Sequence, residues 1–322
     1  EVLLYSLGFN HSANHFSMNL TLWTQGDIRI LVNRETKGYA SSAFAVHGTS
    51  VCDIGIDVDD AKAAIERAKL LGANPFKQPI DPGQLNIPAI HGQSGSILHF
   101  IDEKSGLSDV WDVEFTSIDE KNLGTGLTCI DHIGQTMSYE DMLSWSLFYT
   151  TLFDMGKSAM VDVVDPDGLV RSQALETPDG RLRVTLNGAE THKTMAGSFL
   201  AESFHASVQH IAFATDDIFS TAKSLDKNGF SSLPIPANYY ADLAARFDIS
   251  SDRLAQLRMS NILYDEDAQG KFFQLYSRPF AGGMFFEIIQ RTDGYGGYGG
   301  PNAPFRIAAQ KRLMRQKGMP KI

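Results

Sequence analysis

The sequence predicts an α+β protein of four β-α-β-β-β modules, paired into two half-barrel domains at residues 1–118 and 119–322. An internal repeat is the first observation behind this: Ser50-Val51-Cys52-Asp53-Ile54-Gly55-Ile56-Asp57-Val58-Asp59-Asp60 aligns with Ser207-Val208-Gln209-His210-Ile211-Ala212-Phe213-Ala214-Thr215-Asp216-Asp217. The second is that Ile97-Leu98-His99-Phe100-Ile101-Asp102 aligns with Phe285-Phe286-Glu287-Ile288-Ile289-Gln290. The third is that each Asp pair opens a run with helical apolar spacing, ended by Gly72 and Gly229. Recurrence of a strand–helix–strand unit in the same order marks a duplicated architecture.

The elements follow in order. Residues 1–9 resemble the end of an amphipathic helix, so the first strand of the first module is expected to lie before Glu1. Strands are predicted at 18–24 and 27–33 around Gln25-Gly26, then at 49–58, a helix at 61–71, a loop at 79–88 and a strand at 96–102. A polar connection spans 103–123. The pattern restarts with a strand at 127–133 and a helix opened by Ser138-Tyr139-Glu140-Asp141, a variant capping box. Three short strands at 159–164, 170–176 and 182–186 are joined by two Pro-Asp-Gly groups, which supply the preset φ and the φ-positive residue of tight turns. The last module has a strand at 208–214, helices at 218–227, 239–247 and 252–259, and strands at 261–264, 271–276 and 283–291. A glycine-rich stretch, Gly294 to Gly300, reads as a flexible lead into a final helix from Ala303. It lacks the Lys-Ser/Thr ending of a phosphate loop.

A formal charge of −10, with no basic stripe, argues against nucleic-acid or anionic-membrane partners. The basic residues from Gln310 to Lys321 read as a solvated helix end and tail. No apolar run approaches the roughly 18 residues of a membrane span, so a water-soluble, cytoplasmic protein is expected. Cys52 and Cys129 lie in strand-like runs, which makes a disulfide framework unnecessary and suits a reducing compartment.

Glu287 stands in an otherwise apolar run, Met284-Phe285-Phe286-Glu287-Ile288-Ile289. An ionised carboxylate buried there costs several kcal/mol unless it is compensated. Arg291 or a tyrosine could serve, and a single strand histidine is most often an ordinary core residue. However, His132 and His210 occupy equivalent places in successive modules, and module pairing brings equivalent strands together. Two histidines and one carboxylate facing one cavity form a facial triad that leaves metal positions open. The N-terminal half carries Asp53 and His99 at the matching positions, an incomplete second pair whose third ligand would fall in the absent strand.

Ile130-Asp131-His132, Gln209-His210-Ile211-Ala212-Phe213, Tyr239-Tyr240, Gly270-Lys271-Phe272-Phe273-Gln274 and Phe285 to Arg291 resemble 4-hydroxyphenylpyruvate dioxygenases of the vicinal oxygen chelate superfamily. The resemblance runs from about Tyr5 to Arg291. It implies the vicinal oxygen chelate fold, a metal held by His132, His210 and Glu287, and a 2-oxo acid chelating that metal for oxidative decarboxylation and ring hydroxylation. Fe(II) is expected from the ligand types, with Mg(II) or another divalent ion as alternatives. By position, Ser172, Asn187, Gln209, Gln274 and Asn302 would face the substrate and Phe285 would stack on its ring; Gln209 can do so only if its strand bulges. The chain departs from the family at His192 to Ser198, in place of a Gln-rich segment, and at Pro301-Asn302-Ala303-Pro304-Phe305-Arg306, in place of Gly-Asn-Phe. The closing Tyr-Gly-Gly-Tyr-Gly-Gly-Pro-Asn-Ala-Pro pattern resembles the dioxygenase-like part of bacterial 3-dehydroshikimate dehydratases. That likeness implies a fused or associated TIM-barrel domain, in which the dehydratase chemistry would reside. A small organic acid as ligand and a homo-oligomeric assembly complete the expectation.

Overall fold

The computed structural model describes residues 1–119, 124–205 and 208–318. Ser207 of the repeat, the end of the connection to Leu123 and the last residues of the basic tail lie outside them. Eight strands belong to the first part of the chain: β1 (Asn10–His15), β2 (Leu20–Gln25), β3 (Ile28–Asn33), β4 (Asp53–Asp57), β5 (Pro75–Phe76), β6 (Ala89–His91), β7 (Ile97–Ile101) and β8 (Phe115–Ser117). Nine follow: β9 (Leu127–Ser138), β10 (Gly156–Lys157), β11 (Val161–Asp165), β12 (Gly168–Glu176), β13 (Arg183–Ala189), β14 (Val208–Thr215), β15 (Leu263–Glu266), β16 (Lys271–Tyr276) and β17 (Phe285–Thr292).

The second group forms one curled, half-barrel sheet in the order β10-β12-β13-β9-β14-β17-β16-β15, with β11 also on β12. Its two modules join where β9 runs antiparallel to β14. The first group does not form the expected second half-barrel. Its strands make two separate four-stranded sheets, β3-β2-β1-β8 and β4-β7-β6-β5. The reason is visible in the pairing: β3 and β4 each end a sheet, and no described strand stands between them as β9 stands between β13 and β14.

Local chemistry opens several helices. Asp60, Ser138 and Asp217 accept hydrogen bonds from first-turn amides of the helices Ala61–Leu70, Tyr139–Phe153 and Ile218–Lys227. The helix Gly38–His47, the helix Met195–Glu202 and strand β1 were not evident in the sequence. The first has apolar residues without a one-sided stripe, and β1 is largely polar.

Ile211, Phe213, Phe286, Ile288 and Leu275 share the face of the large sheet turned away from Glu287. They bury against Tyr239, Leu243 and Leu257, while Leu4, Phe9, Trp23 and Ile28 from the first part complete the same core. A second core packs Leu98, Phe100 and Ile65 against Met142, Tyr149 and Leu186. Both cores cross between the two parts of the chain. No helix among the described residues is long and apolar enough to cross a membrane.

Candidate metal centre

Strand register brings the triad together. His132 pairs opposite Ala212, His210 opposite Gly134, and Ala212 opposite Glu287, so the three side chains leave β9, β14 and β17 on one face. His132 Nε2 and His210 Nε2 are 3.3 Å apart, and Glu287 Oε2 lies 3.6 Å from the first and 3.8 Å from the second. A point roughly 2.1 Å from all three atoms lies inside that triangle, matching the bond lengths of a divalent transition ion to imidazole nitrogen and carboxylate oxygen. The residues present therefore fit one metal ion, and the two-nitrogen, one-oxygen set suits a transition metal.

His132 is oriented from behind. A carboxylate can only accept, so its Nδ1–H donates to Asp131 Oδ1 at 2.7 Å, leaving the Nε2 lone pair aimed at the triangle. Asp131 is itself gripped by Arg291, through Nε and Nη2 at 2.9 Å each, and by Arg183 at 3.3 Å. Arg291 thus pairs with Asp131, not with Glu287. Glu287 Oε1 instead accepts from Gln274 Nε2 at 2.9 Å.

Space for His210 depends on one glycine. A Cβ on Gly134 would stand 1.8 Å from His210 Cε1, so any side chain there would take the place of the ring. The imidazole stacks on Phe285, with centroids 4.9 Å apart and planes 12° apart.

Charge balance follows from these contacts. Burial opposes ionisation of Asp131, but hydrogen bonds from His132 and Arg291 outweigh it and hold the carboxyl well below its usual range. Burial likewise disfavours the charged forms of His132 and Glu287, yet their mutual contact, together with Asp131 and Gln274, raises the first and lowers the second. For His210 burial and the neighbouring His132 outweigh the pull of Glu287 and push it down to about 3.

The glycine-rich stretch is not a loose lead into the last helix. Tyr298 lays its ring edge-on against His132 at 5.5 Å and donates to Glu176 at 2.8 Å, while Tyr295 donates to Asp265 at 2.6 Å. Arg291 reaches the carbonyl of Gly297. Gly299 has φ +59°, and a Cβ there would meet the Gln274 amide at 2.3 Å. Glycine is used here for close approach to the residues around the triad, and the stretch covers them.

The other residues singled out fall on the triad's face. In-register pairing carries that face across from Gly134 and Thr136 to Asn187 and Ser172, whose hydroxyl donates to Asn187 at 2.9 Å. The register shifts between Val208 and His210, so a bulge at Gln209 lets it turn to the same side, where it accepts from Thr136 at 3.1 Å. Gln274 pairs opposite Ile289, two residues from Tyr276, which pairs opposite Glu287. Asn302 is fully buried, donating to Gln274 Oε1 at 2.8 Å and accepting from Tyr239 at 2.9 Å. Asp53 and His99 do meet, at 2.8 Å, but on an exposed surface. Both cysteines are free, and Cys129 is exposed. Gly134 and Tyr298 carried no signal in the sequence, because what matters at each is a neighbour brought in by another strand.

Known proteins resemble this chain over most of its length. Residues 1–116 match the model for the hydroxyphenylpyruvate dioxygenase N-terminal family, and residues 130–265 match the glyoxalase/bleomycin resistance protein/dioxygenase superfamily. The chain is 39% identical over 313 residues to a 3-dehydroshikimate dehydratase of Pseudomonas aeruginosa, covering 97% of this chain and 49% of that protein. It therefore spans about half the length of that relative. A 4-hydroxyphenylpyruvate dioxygenase of Legionella pneumophila is 32% identical, with 96% of this chain and 89% of that one covered. Among solved structures, a xylose isomerase-like TIM barrel/4-hydroxyphenylpyruvate dioxygenase fusion protein superposes with a TM-score of 0.84 at 38% identity, covering 97% of this chain and 49% of that one. The chain belongs to the 4-hydroxyphenylpyruvate dioxygenase-like family of the glyoxalase/dioxygenase superfamily.

Proposed function

We propose that this chain is the metal-binding, dioxygenase-like part of a longer protein of the 3-dehydroshikimate dehydratase type, with His132, His210 and Glu287 holding one divalent ion. The observation that carries the reading is the buried triangle of ligand atoms, oriented by Asp131 and Arg291. Its support from relatives is the half-length match to dehydratases and to a fused TIM-barrel protein. Two units, 1–118 and 119–322, are proposed, the first of the same fold type as the second but with no complete metal site.

A bound Fe(II) would supply a Lewis-acidic centre that can coordinate a 2-oxo acid and dioxygen. The chain's own part is to hold the site. Asp131 keeps His132 in the ligating tautomer, and Gln274 orients Glu287 through Oε1. Burial under Tyr298 excludes bulk water. The convergence of Ser172, Asn187, Gln209, Gln274 and Phe285 on one face favours a second reading, an active dioxygenase of 4-hydroxyphenylpyruvate or a related 2-oxo acid.

Anaerobic loading with Fe(II), then oxygen uptake with 4-hydroxyphenylpyruvate, separates the two. One tightly bound iron without oxygen consumption supports the first reading, and substrate-dependent consumption supports the second. A folded protein that takes up no divalent metal overturns both.

A further inference from the structure

We infer that Arg306 makes the metal cavity a carboxylate site, so that its ligand is a small dianionic organic acid and not an aryl pyruvate. This rests on the metal reading given above. Arg306 lies early in the last helix, Ala303–Gly318. Its guanidinium carbon stands 4.8 Å over the Phe285 ring and 5.8 Å from the Tyr276 ring centroid. Phe285 is the ring stacked on His210, and Tyr276 accepts from Gln274, the residue that donates to Glu287. A permanent cation therefore stands one side chain away from His210 and two from Glu287.

That cation makes no direct ion pair among the described residues, although Glu287 and Asp165 act on it from further away. Arg306 Nη1 donates to the uncharged amide oxygen of Gln310 at 2.7 Å, and no described carboxylate lies within ion-pair reach of the guanidinium. On the same helix the acidic partners Asp165 and Asp167 are taken by Lys311. Burial holds the Arg306 guanidinium below its ordinary pKa, against the opposing pull of Tyr276, Glu287 and Asp165. A guanidinium stays protonated in proteins, so it calls for an anion.

Charge counting points to the class of ligand. A divalent ion with two neutral imidazoles and one carboxylate leaves one positive charge, and Arg306 adds a second. A dianion balances both, one carboxylate with its 2-oxo group on the metal and the other in the planar fork of the arginine, which matches carboxylate geometry. An aryl ring offers the guanidinium only a cation–π contact, which Phe285 already supplies. To stack on Phe285 it must also compete with the cation that already lies over that ring.

Calorimetric titration of the Mn(II)-loaded chain under anaerobic conditions tests this, with 2-oxoglutarate and 4-hydroxyphenylpyruvate as probes sharing one chelating head. Wild type is expected to bind 2-oxoglutarate at least tenfold more tightly. Arg306→Met, which keeps packing on Phe285, is expected to lose at least tenfold for 2-oxoglutarate while Mn(II) affinity and 4-hydroxyphenylpyruvate affinity change less than threefold. Arg306→Lys should fall between the two. Equal or reversed preference in wild type overturns the inference whether or not the variants fold, as does an Arg306→Met protein with the wild-type ratio. Failure of wild type to take up Mn(II) overturns the underlying metal reading instead, and this assignment with it.

Discussion

The two halves of this chain run the same pairing with opposite outcomes. In the first, β4 and β7 are parallel with Asp53 opposite Ile97 and Gly55 opposite His99; in the second, β14 and β17 are parallel with His210 opposite Phe285 and Ala212 opposite Glu287. The register is that of the sequence repeat, position for position. Yet the Asp53 and His99 side chains are 43% and 19% exposed, whereas Glu287 is 4% exposed. The difference lies beyond the pair. β14 has β9 on its other side, contributing His132 and closing the sheet, while β4 is an edge. A two-residue cluster open to water pays little for its charges and binds little; the same cluster buried beside a third donor has an energetic need for a cation.

The largest test of this contrast is to remove the carboxylate from each half. Glu287→Gln should weaken Mn(II) binding, read by calorimetry, beyond the roughly 10–100-fold typical of losing an outer partner. The double variant Asp53→Asn, His99→Ala should bind as wild type does. If the double variant lost binding, the contrast between halves would fail.

Next comes the support behind His132. Asp131→Ala leaves Arg291 unpaired in a mostly buried place and should cost about 3–5 kcal/mol in urea unfolding. Lys104→Ala, which breaks the exposed Lys104–Asp60 pair of the first half, should leave the midpoint unchanged. Because the native contacts hold Asp131 below its ordinary pKa, its stabilisation is present above the unfolded value and lost as pH falls through the folded one. The gap between wild type and Asp131→Asn should accordingly narrow below about pH 4; a gap independent of pH would assign the effect to packing.

The smallest effects distinguish two glycines. Gly134→Ala should displace the His210 ring and lower metal affinity on the order of tenfold, with the fold retained, as read by circular dichroism. At Gly55 a Cβ meets only the end of Ile101, at 3.2 Å. Gly55→Ala should change neither metal affinity nor stability by more than about 1 kcal/mol.

Much of this was legible in the chain itself. Strand β16 and the helix Ile218–Lys227 fall where periodicity and capping place them, and the paired modules follow from the repeat. The polar strand β1 and the helix Gly38–His47 escaped because neither shows the periodicity that burial imposes on one face. The glycine-rich stretch was misjudged for a related reason. Glycine composition signals conformational freedom, and only the presence of Gln274 and Arg291 beside it shows that the freedom is spent on close packing.

By itself, then, the sequence determined the duplication, the three candidate ligands and the need of Glu287 for a partner, because each is a local pattern or the cost of burying a charge. Tertiary structure alone decided that the ligand atoms form a triangle the size of one ion and that β3 and β4 end two separate sheets. It also turned Gln209 inward through a bulge and set Arg306 over Phe285. Distances across strands depend on register and on which neighbours are present, and no spacing along the chain encodes those.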